Sequence, residues 1–307
     1  MSSKNEEAIA KSGFSHPDSV LKLEHFSAFK SNWEPKHENI LAIARELSLT
    51  PDSFVFVDDN PAERAIVRAQ IPGIAVPEIG SDVARFASII ESKRYFEAQS
   101  LGTEDLARAA FYEKNAARRE AEHRFSNYGE YLDFLEMVAE IHTFSAPYMD
   151  RIAQLTNKSN QFNLTTRRYT RAELESVAND GCHIALYGRL SDRFGDNGVV
   201  SVILGSVDGS RLGIDLWLMS CRVLKREMEL AMLDILVERA RDRNLRALIG
   251  YYLPTAKNGM VAEHYRNLGF APVSRDETTG SSVWSLDIEH YQAQSRHIRV
   301  MEPAING

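Results

Sequence analysis

The stretch Ser53-Phe54-Val55-Phe56-Val57-Asp58-Asp59-Asn60-Pro61-Ala62-Glu63-Arg64 decides the fold of the first part of the chain. Its short apolar run, bounded by turn residues, predicts a buried parallel strand that ends at two adjacent carboxylates, Asp58 and Asp59. Ligands of open α/β sheets bind at that end of the strands, and hard oxygen ligands without nearby Cys or His suit Mg²⁺. The alternative is that Asp58 and Asn60 only cap a helix beginning near Pro61.

The segments around this stretch alternate between helical and extended patterns. Apolar residues recur at helical spacing after Pro35, and a second helical pattern runs from Pro61 to Gln70. A short strand is predicted over Ile74 to Pro77, followed by a helix from about Ser81 to Tyr95. Strands and helices that alternate at this interval predict a parallel sheet with helical crossovers.

The second part of the chain predicts a different organisation. We expect a charged bridging helix within residues 105–126, between a first domain at 1–104 and a second at 127–307. β-rich runs separated by hairpin turns, followed by helices and one more strand, predict an α+β unit. The runs are Cys182 to Leu190, Val199 to Leu204 and Leu212 to Met219, and the turns are Gly195-Asp196-Asn197-Gly198 and Asp208-Gly209.

Composition limits the classes of function. The 307 residues carry a net charge of −7 and no long Lys/Arg block, which argues against a general nucleic-acid binder. Two cysteines are too few for a disulfide scaffold and favour a reducing cytosol. The start of the chain lacks the apolar core of a signal peptide, and no run is long enough to cross a bilayer. We therefore expect a cytoplasmic protein that binds neither nucleic acid nor membrane.

A phosphate site can be assembled in the first domain from separated pieces. Ser3, with Lys4 and Asn5, offers groups for phosphoryl oxygens at the start of a helix. Lys36 supplies a positive charge from the first turn of its own helix. Asp59, with Asp58 or Glu63 beside it, would hold the metal. Each piece also has an ordinary explanation, because a serine near a chain start is usually a cap and a lysine in a first turn is usually solvent-exposed.

Taken in order, these pieces closely resemble the FkbH-like proteins of the haloacid-dehalogenase superfamily. The resemblance implies that Ser3, Lys36 and Asp59 are the phosphate binder, the charge stabiliser and the magnesium ligand. It also implies loading of a glyceryl unit, from a phosphorylated three-carbon intermediate, onto an acyl carrier protein for polyketide assembly. It rests on Ser3-Lys4-Asn5, Trp33-Glu34-Pro35-Lys36-His37-Glu38-Asn39-Ile40, the stretch from Asp52 to Arg64, and Val76-Pro77-Glu78.

One difference from that superfamily concerns catalysis. Its first motif, an Asp-x-Asp segment that supplies the nucleophile and general acid, precedes the serine motif, which here stands at Ser3. We therefore expect an incomplete haloacid-dehalogenase-like Rossmannoid domain, either because the chain is a fragment or because phosphatase chemistry is lost. The alternative is that another chain supplies the missing strand.

The second part resembles the acetyltransferase-like (GNAT-like) acyltransferase domain that follows in the same family. There Cys221, at a strand end before a helix, is a candidate thiolate nucleophile or a small buried hydrophobe. Tyr265 is a candidate general acid or a core residue. The polar run after Ser159 could orient a glyceryl group or be only a well-bonded loop. The candidate substrate-binding residues are Asn160, Gln161, Asn163, Thr165 and Arg222, and the segments that carry the resemblance are Thr156 to Tyr169, Asp192 to Gly198, Leu216 to Leu224 and the last helix.

A second difference concerns coenzyme A or phosphopantetheine. Acetyltransferase folds hold a pyrophosphate on backbone amides through an Arg-x-x-Gly-x-Gly loop, where glycine lets the ligand approach. Here Lys225 and Glu227 stand at the glycine positions, and Glu227 at the helix start would oppose a phosphate.

Three hypotheses follow. The first is a glyceryl transferase or a fragment of one, which holds the glyceryl group on a thiol and passes it to a carrier protein. The second is an acyltransferase that acts through the second domain alone. The third is a non-catalytic docking module for a carrier protein.

Overall fold

The computed structural model describes residues 1–47, 49–97 and 108–301. The chain divides into two compact units, Met1–Ala116 (unit 1) and Ala117–Gly307 (unit 2). The boundary expected at residue 104 lies outside the described residues. The predicted class is confirmed: the chain is a mixed α/β protein with one parallel strand pair and one parallel bridge described in unit 1, and an α+β unit in unit 2.

Unit 1 is mostly helical with very short extended segments. Strands β1 and β2 pair in parallel, Ser2 with Lys30 and Ser3 with Ser31. Neither strand was predicted, because two-residue strands leave no period-2 pattern to detect. The described elements are β1 (Ser2–Ser3), α1 (Glu7–Ser12), β2 (Lys30–Ser31), α2 (Lys36–Leu47), α3 (Pro61–Gln70) and α4 (Phe86–Ser92).

The two strands predicted around Val55 and Ala75 shrink to a single parallel bridge between these residues. The Phe56 amide donates to the Ala75 carbonyl at 2.8 Å, and the Ala75 amide donates to the Phe54 carbonyl at 3.3 Å. The parallel direction is as predicted, but the strands are not formed, because the chain turns at Asp58 and Pro77 has no amide to extend the ladder. A small core formed by Ile40, Phe56, Val67, Ile71 and Ile74 holds this bridge between helices α2 and α3.

Unit 2 is built on one eight-stranded sheet. Helix α5 (Arg108–Glu122) spans the boundary in the sequence between the two units, and α6 (Tyr128–Phe134) follows it within unit 2. The strands are β3 (Met137–Thr143), β4 (His183–Asp192), β5 (Gly195–Asp208), β6 (Arg211–Met219), β7 (Ala247–Tyr252), β8 (Ala271–Arg275), β9 (Ser282–Asp287) and β10 (Ile298–Met301). The remaining helices are α7 (Met149–Lys158), α8 (Arg171–Ala178), α9 (Met228–Asp242) and α10 (His264–Asn267).

The strand order is β10-β3-β4-β5-β6-β7-β9-β8, with parallel pairing only between β10 and β3 and between β6 and β7. The predicted hairpins exist, but the first turn lies at Arg193–Phe194, since Asp192 pairs with Gly195. The glycines at 195 and 198 are therefore inside β5. The turn forms two residues earlier because the Asp192 carboxylate accepts the Phe194 amide at 2.8 Å.

Helices cover both faces of this sheet, as the alternation of side chains along β6 requires. Leu216 and Leu218 pack with Leu155 of α7 and Leu174 of α8. Trp217 and Met219 point to the opposite face, in the larger core that contains α9. The helix predicted from Ala256 to Leu268 is instead a 3₁₀ turn (Gly259–Val261) followed by the four-residue α10.

A buried ion cluster joins three elements of unit 2. The Asp192 carboxylate accepts from Arg118 of α5 at 2.8 Å and from Arg226 at 3.0 Å. Burial, and next to it the charge of Arg118, lowers the pKa of Arg226 to about 10. In the part of the chain that the structure describes, no helix is long and apolar enough to span a membrane.

Candidate functional site

The predicted unit 1 site forms around an ion pair between Lys36 and Asp58. Lys36 is the first residue of α2, and its Nζ lies 2.5 Å from Asp58 Oδ2, with only 14% and 6% of the two side chains exposed. The other oxygen of Asp58 accepts the Asn60 amide at 3.0 Å. Asp59, the next residue, is exposed. The two adjacent carboxylates are thus divided, one bound to lysine and one open to solvent.

A second ion pair brings the N-terminal segment to the same stretch. Lys4 Nζ lies 2.5 Å from an oxygen of Glu63, a buried residue in the first turn of α3. Ser3 and Asn5 flank Lys4 and are half-buried. The Asn5 side chain accepts the Glu6 amide at 2.8 Å, so it stabilises a turn ahead of α1. The structure therefore places the predicted phosphate-binding segment beside the predicted metal ligands.

The capping interpretation accounts for Asn60 but not for Asp58. Asn60 is the N-cap of α3, where its side chain accepts the Ala62 amide at 2.9 Å and Pro61 follows at the first helical position. Asp58 bonds Lys36 and the Asn60 amide instead of an amide of α3.

The donor set fits a hard divalent cation. Asp58, Asp59 and Glu63 offer only carboxylate oxygens, which Mg²⁺ prefers. Of these, Asp59 is the group open to solvent, while the other two face lysines. Mg²⁺, when bound, would neutralise phosphoryl oxygens, and Lys4 and Lys36 would add positive charge toward the same group.

In unit 2 the parallel strands β6 and β7 separate, and a loop segment fills the gap. They pair only from Arg211–Ala247 to Ile214–Gly250. Beyond that point the Leu164 amide donates to the Trp217 carbonyl at 3.1 Å, and the Met219 amide donates to the Phe162 carbonyl at 3.0 Å. On the other side, the Leu253 amide donates to the Leu164 carbonyl at 2.9 Å. We call Phe162–Leu164 the inserted segment, because it bridges the diverging strands.

The predicted polar run lies at this inserted segment. Asn163 is fully buried and its side chain accepts the Thr166 amide at 2.8 Å. The Thr165 hydroxyl donates to the Asp215 carbonyl at 2.7 Å, and the Asn160 side chain accepts from Arg168. Gln161 is half-buried. The polar groups of Asn160, Asn163 and Thr165 thus hold the loop in place, and a role in orienting a substrate stays a prediction.

Cys221 follows the end of β6, as predicted, but it lies in a short 3₁₀ turn, and helix α9 begins only at Met228. The turn (Cys221–Val223) begins after Ser220, whose hydroxyl accepts the Arg222 amide at 3.4 Å. Cys221 and Arg222 are half-buried, whereas Cys182 is exposed.

The loop between this turn and α9 has two residues with positive φ values, and neither of them is glycine. Lys225 and Glu227 have φ values of +64° and +60°, in the left-handed region that favours glycine. Tyr128 donates its hydroxyl to the Lys225 carbonyl at 2.7 Å, which fixes the loop from α6. These are the two positions at which the acetyltransferase loop is expected to have glycine.

The start of α9 carries two acidic residues, Glu227 and Glu229, which a diphosphate-binding loop is not expected to have. Glu229, in the first turn of α9, is half-buried and has one carboxylate oxygen shielded from solvent. Burial raises its pKa, a hydrogen bond from its own amide lowers it, and the charge of Glu227 raises it. A diphosphate at this helix start would meet two carboxylates instead of amides alone.

A buried aromatic cluster lies next to the inserted segment, and it contains Tyr265, the candidate general acid, together with His264, which no sequence motif indicated. His264 packs edge-on against Phe162 and Trp217, with ring centroids 4.9 and 4.6 Å apart. Burial lowers the pKa of His264 to about 3 and raises that of Tyr265. A Cβ on Gly250 would lie 2.4 Å from the Tyr265 ring, so glycine is required there for close packing. The Trp217 Nε1, His264 Nε2 and Tyr265 Oη atoms have no hydrogen-bond partner among the described residues.

Comparisons with known proteins find partial similarity. No protein-family profile matches the chain, and no curated protein matches it. A crystal structure of the N-terminal part of a Bacteroides fragilis protein, containing a phosphatase domain complexed with Mg, is 42% identical with a TM-score of 0.31, over 32% of this chain. This chain spans only 26% of that structure.

Structures of acetyltransferases are similar at much lower identity. The ribosomal-protein-S18-alanine N-acetyltransferase from Escherichia coli is 10% identical, over 52% of this chain and 99% of its own, with a TM-score of 0.39. A GNAT-family acetyltransferase from Streptococcus pneumoniae is 13% identical, over 48% of this chain and 98% of its own, with a TM-score of 0.38.

Proposed function

We propose that the chain takes a glyceryl group from a phosphorylated three-carbon donor and transfers it to an acyl carrier protein in polyketide-type biosynthesis. The observation that carries the proposal is the unit 1 site, where Lys4 pairs with Glu63 and Lys36 pairs with Asp58, next in the chain to the exposed Asp59. Such a site combines positive charge for phosphoryl oxygens with oxygen ligands for Mg²⁺.

Cys221 would carry the glyceryl group in unit 2. With a donor activated as an acyl phosphate, its thiolate attacks the carbonyl carbon, so that a C–S bond forms, the C–O bond to phosphate breaks and phosphate leaves. The thiol proton passes to solvent. The carrier-protein thiolate then attacks the same carbon, and Cys221 leaves as a thiolate. The half-buried position of Cys221 after β6 is compatible with an accessible thiol.

A second candidate is a docking module that binds a carrier protein without turnover. It is favoured by the pairing of Asp58 and Glu63 with lysines and by the carboxylates at the start of α9.

The experiment that separates these candidates measures the mass of the carrier protein. The chain, the phosphopantetheinylated carrier protein, Mg²⁺ and the acyl phosphate of glyceric acid are incubated together, and the carrier is followed by intact-mass spectrometry. Glyceryl transfer by the native chain, with loss in Lys36→Met and Asp59→Asn, supports the enzyme. Carrier binding by the native chain without any mass increase selects the docking module and contradicts the first proposal.

A further inference from the structure

Two successive backbone carbonyls in the unit 1 site are held by one buried side chain. Arg64 Nη1 donates to the Asp58 carbonyl at 2.8 Å and to the Asp59 carbonyl at 3.0 Å. Only 6% of the Arg64 side chain is exposed. Both peptide groups are therefore fixed by a guanidinium that itself belongs to the rigid helix α3.

Glu78 orients the other end of this guanidinium. Its carboxylate lies 3.3 Å from Arg64 Nη2 and also bonds Arg68. The hydrogen bond from Arg68 lowers the pKa of Glu78 most, and the bond from Arg64 lowers it further. Arg68 donates to the Val76 carbonyl at 3.2 Å and has no bond to the carbonyls of Asp58 or Asp59 among the contacts described.

From this geometry we infer that Arg64 is the positioning residue of the unit 1 site: by binding both carbonyls it directs Asp58 inward to Lys36 and Asp59 outward to a divalent cation. The inference rests on the proposed function, in which Asp59 is a metal ligand. Strand pairing does not fix the opposite directions of the Asp58 and Asp59 side chains, because the single bridge at Val55 ends before Asp58. Residues that orient metal ligands affect affinity even though they do not touch the metal.

The direction in which Arg64→Met changes Mg²⁺ affinity distinguishes a positioning role of Arg64 from a purely electrostatic one. Arg64 is a positive charge next to a cation site, and its electrostatic contribution opposes cation binding. If charge were its only contribution, Arg64→Met would tighten Mg²⁺ binding. Positioning predicts the opposite result, a dissociation constant raised by about tenfold or more.

The test is titration of the full chain with Mg²⁺ alone by isothermal calorimetry. Arg64→Met is expected to weaken binding, and Arg64→Lys, which keeps the charge but lacks the planar fork, is expected to weaken it less. The matched control is Arg68→Met, which removes a positive charge from the same helix without touching the two carbonyls, and binding is expected to be unchanged or tighter. Circular dichroism checks folding, and Arg64→Lys serves alone if Arg64→Met does not fold.

Two results would overturn the inference and are distinguishable. Unchanged or tighter Mg²⁺ binding in both Arg64 variants removes the positioning role and leaves the proposed metal site standing. Absence of Mg²⁺ binding in the native chain removes both the metal site and the role of Arg64.

Discussion

Replacing Lys225 or Glu227 by glycine is expected to stabilise unit 2. Both residues have left-handed backbone conformations, at φ values of +64° and +60°. That conformation costs a residue with a Cβ about 1–2 kcal/mol. Glycine avoids this cost but loses about 0.5–1 kcal/mol through the greater freedom of the unfolded chain, so each substitution should gain about 0.5–1 kcal/mol.

The Glu227→Gly variant should gain more than Lys225→Gly. The charge of Glu227 contributes to raising the pKa of the half-buried Glu229, so its removal also relieves repulsion between two carboxylates. The matched control is Asn244→Gly at φ +57°, because asparagine tolerates this region and the gain should be only a few tenths of a kcal/mol.

Urea unfolding followed by tryptophan fluorescence measures these differences. Trp217 and Trp284 are buried in unit 2, so a Trp33→Phe background makes the signal report on that unit. With a denaturant dependence of about 2 kcal/mol per molar, each midpoint should rise by about 0.2–0.5 M. Lower midpoints in both glycine variants would show that the side chains make contacts worth more than the backbone strain and would refute the reasoning.

Two further predictions concern buried charge in unit 2. Burial lowers the pKa of His264 from 6.5 to about 3. The stability that the neutral His264 contributes is fully present above pH 6.5 and is lost as the pH falls, because the unfolded chain then takes up a proton. His264→Phe should therefore reduce the loss of unfolding free energy between pH 7 and pH 5 by about 2 kcal/mol, and equal losses in both chains would contradict this. Asp192→Asn removes the carboxylate shared by Arg118 and Arg226 and should lower the free energy of unfolding by about 3–5 kcal/mol. Asp196→Asn, at an exposed carboxylate, should lower it by under about 1 kcal/mol in the same urea assay. Similar losses in the two variants would show that burial of the cluster does not matter.

Local signals in the sequence were sufficient for part of the unit 1 site. Pro35 and Pro61 mark the starts of α2 and α3 closely, and the run before Asp58 indicates a buried extended segment that ends in carboxylates. The parallel pairing at Val55 follows from the alternation of helices and extended runs. The length of that pairing depends on a neighbouring segment, and Pro77 ends it, so the two short strands that were predicted are reduced to one bridge.

Other features depend on contacts that no local pattern encodes. The inserted segment looks like a polar loop in sequence, and its place between β6 and β7 follows from the divergence of those strands after Ile214. Arg64 belongs to the quoted stretch, but its bonds to two carbonyls arise only when α3 folds back on the turn before it. The sequence resemblance to an Arg-x-x-Gly-x-Gly loop drew attention to Lys225 and Glu227, whereas their left-handed conformation is visible only in the structure.

The covalent state of Cys221 tests the central claim most directly. The full chain, with Mg²⁺ and the acyl phosphate of glyceric acid as donor but without carrier protein, is analysed by intact-mass spectrometry and peptide mapping. We expect a glyceryl adduct on the native chain and on Cys182→Ala, whose thiol is exposed and outside the site, and none on Cys221→Ala. An undiminished adduct on Cys221→Ala, or no adduct on any of the three, would contradict the proposed transfer through this thiol.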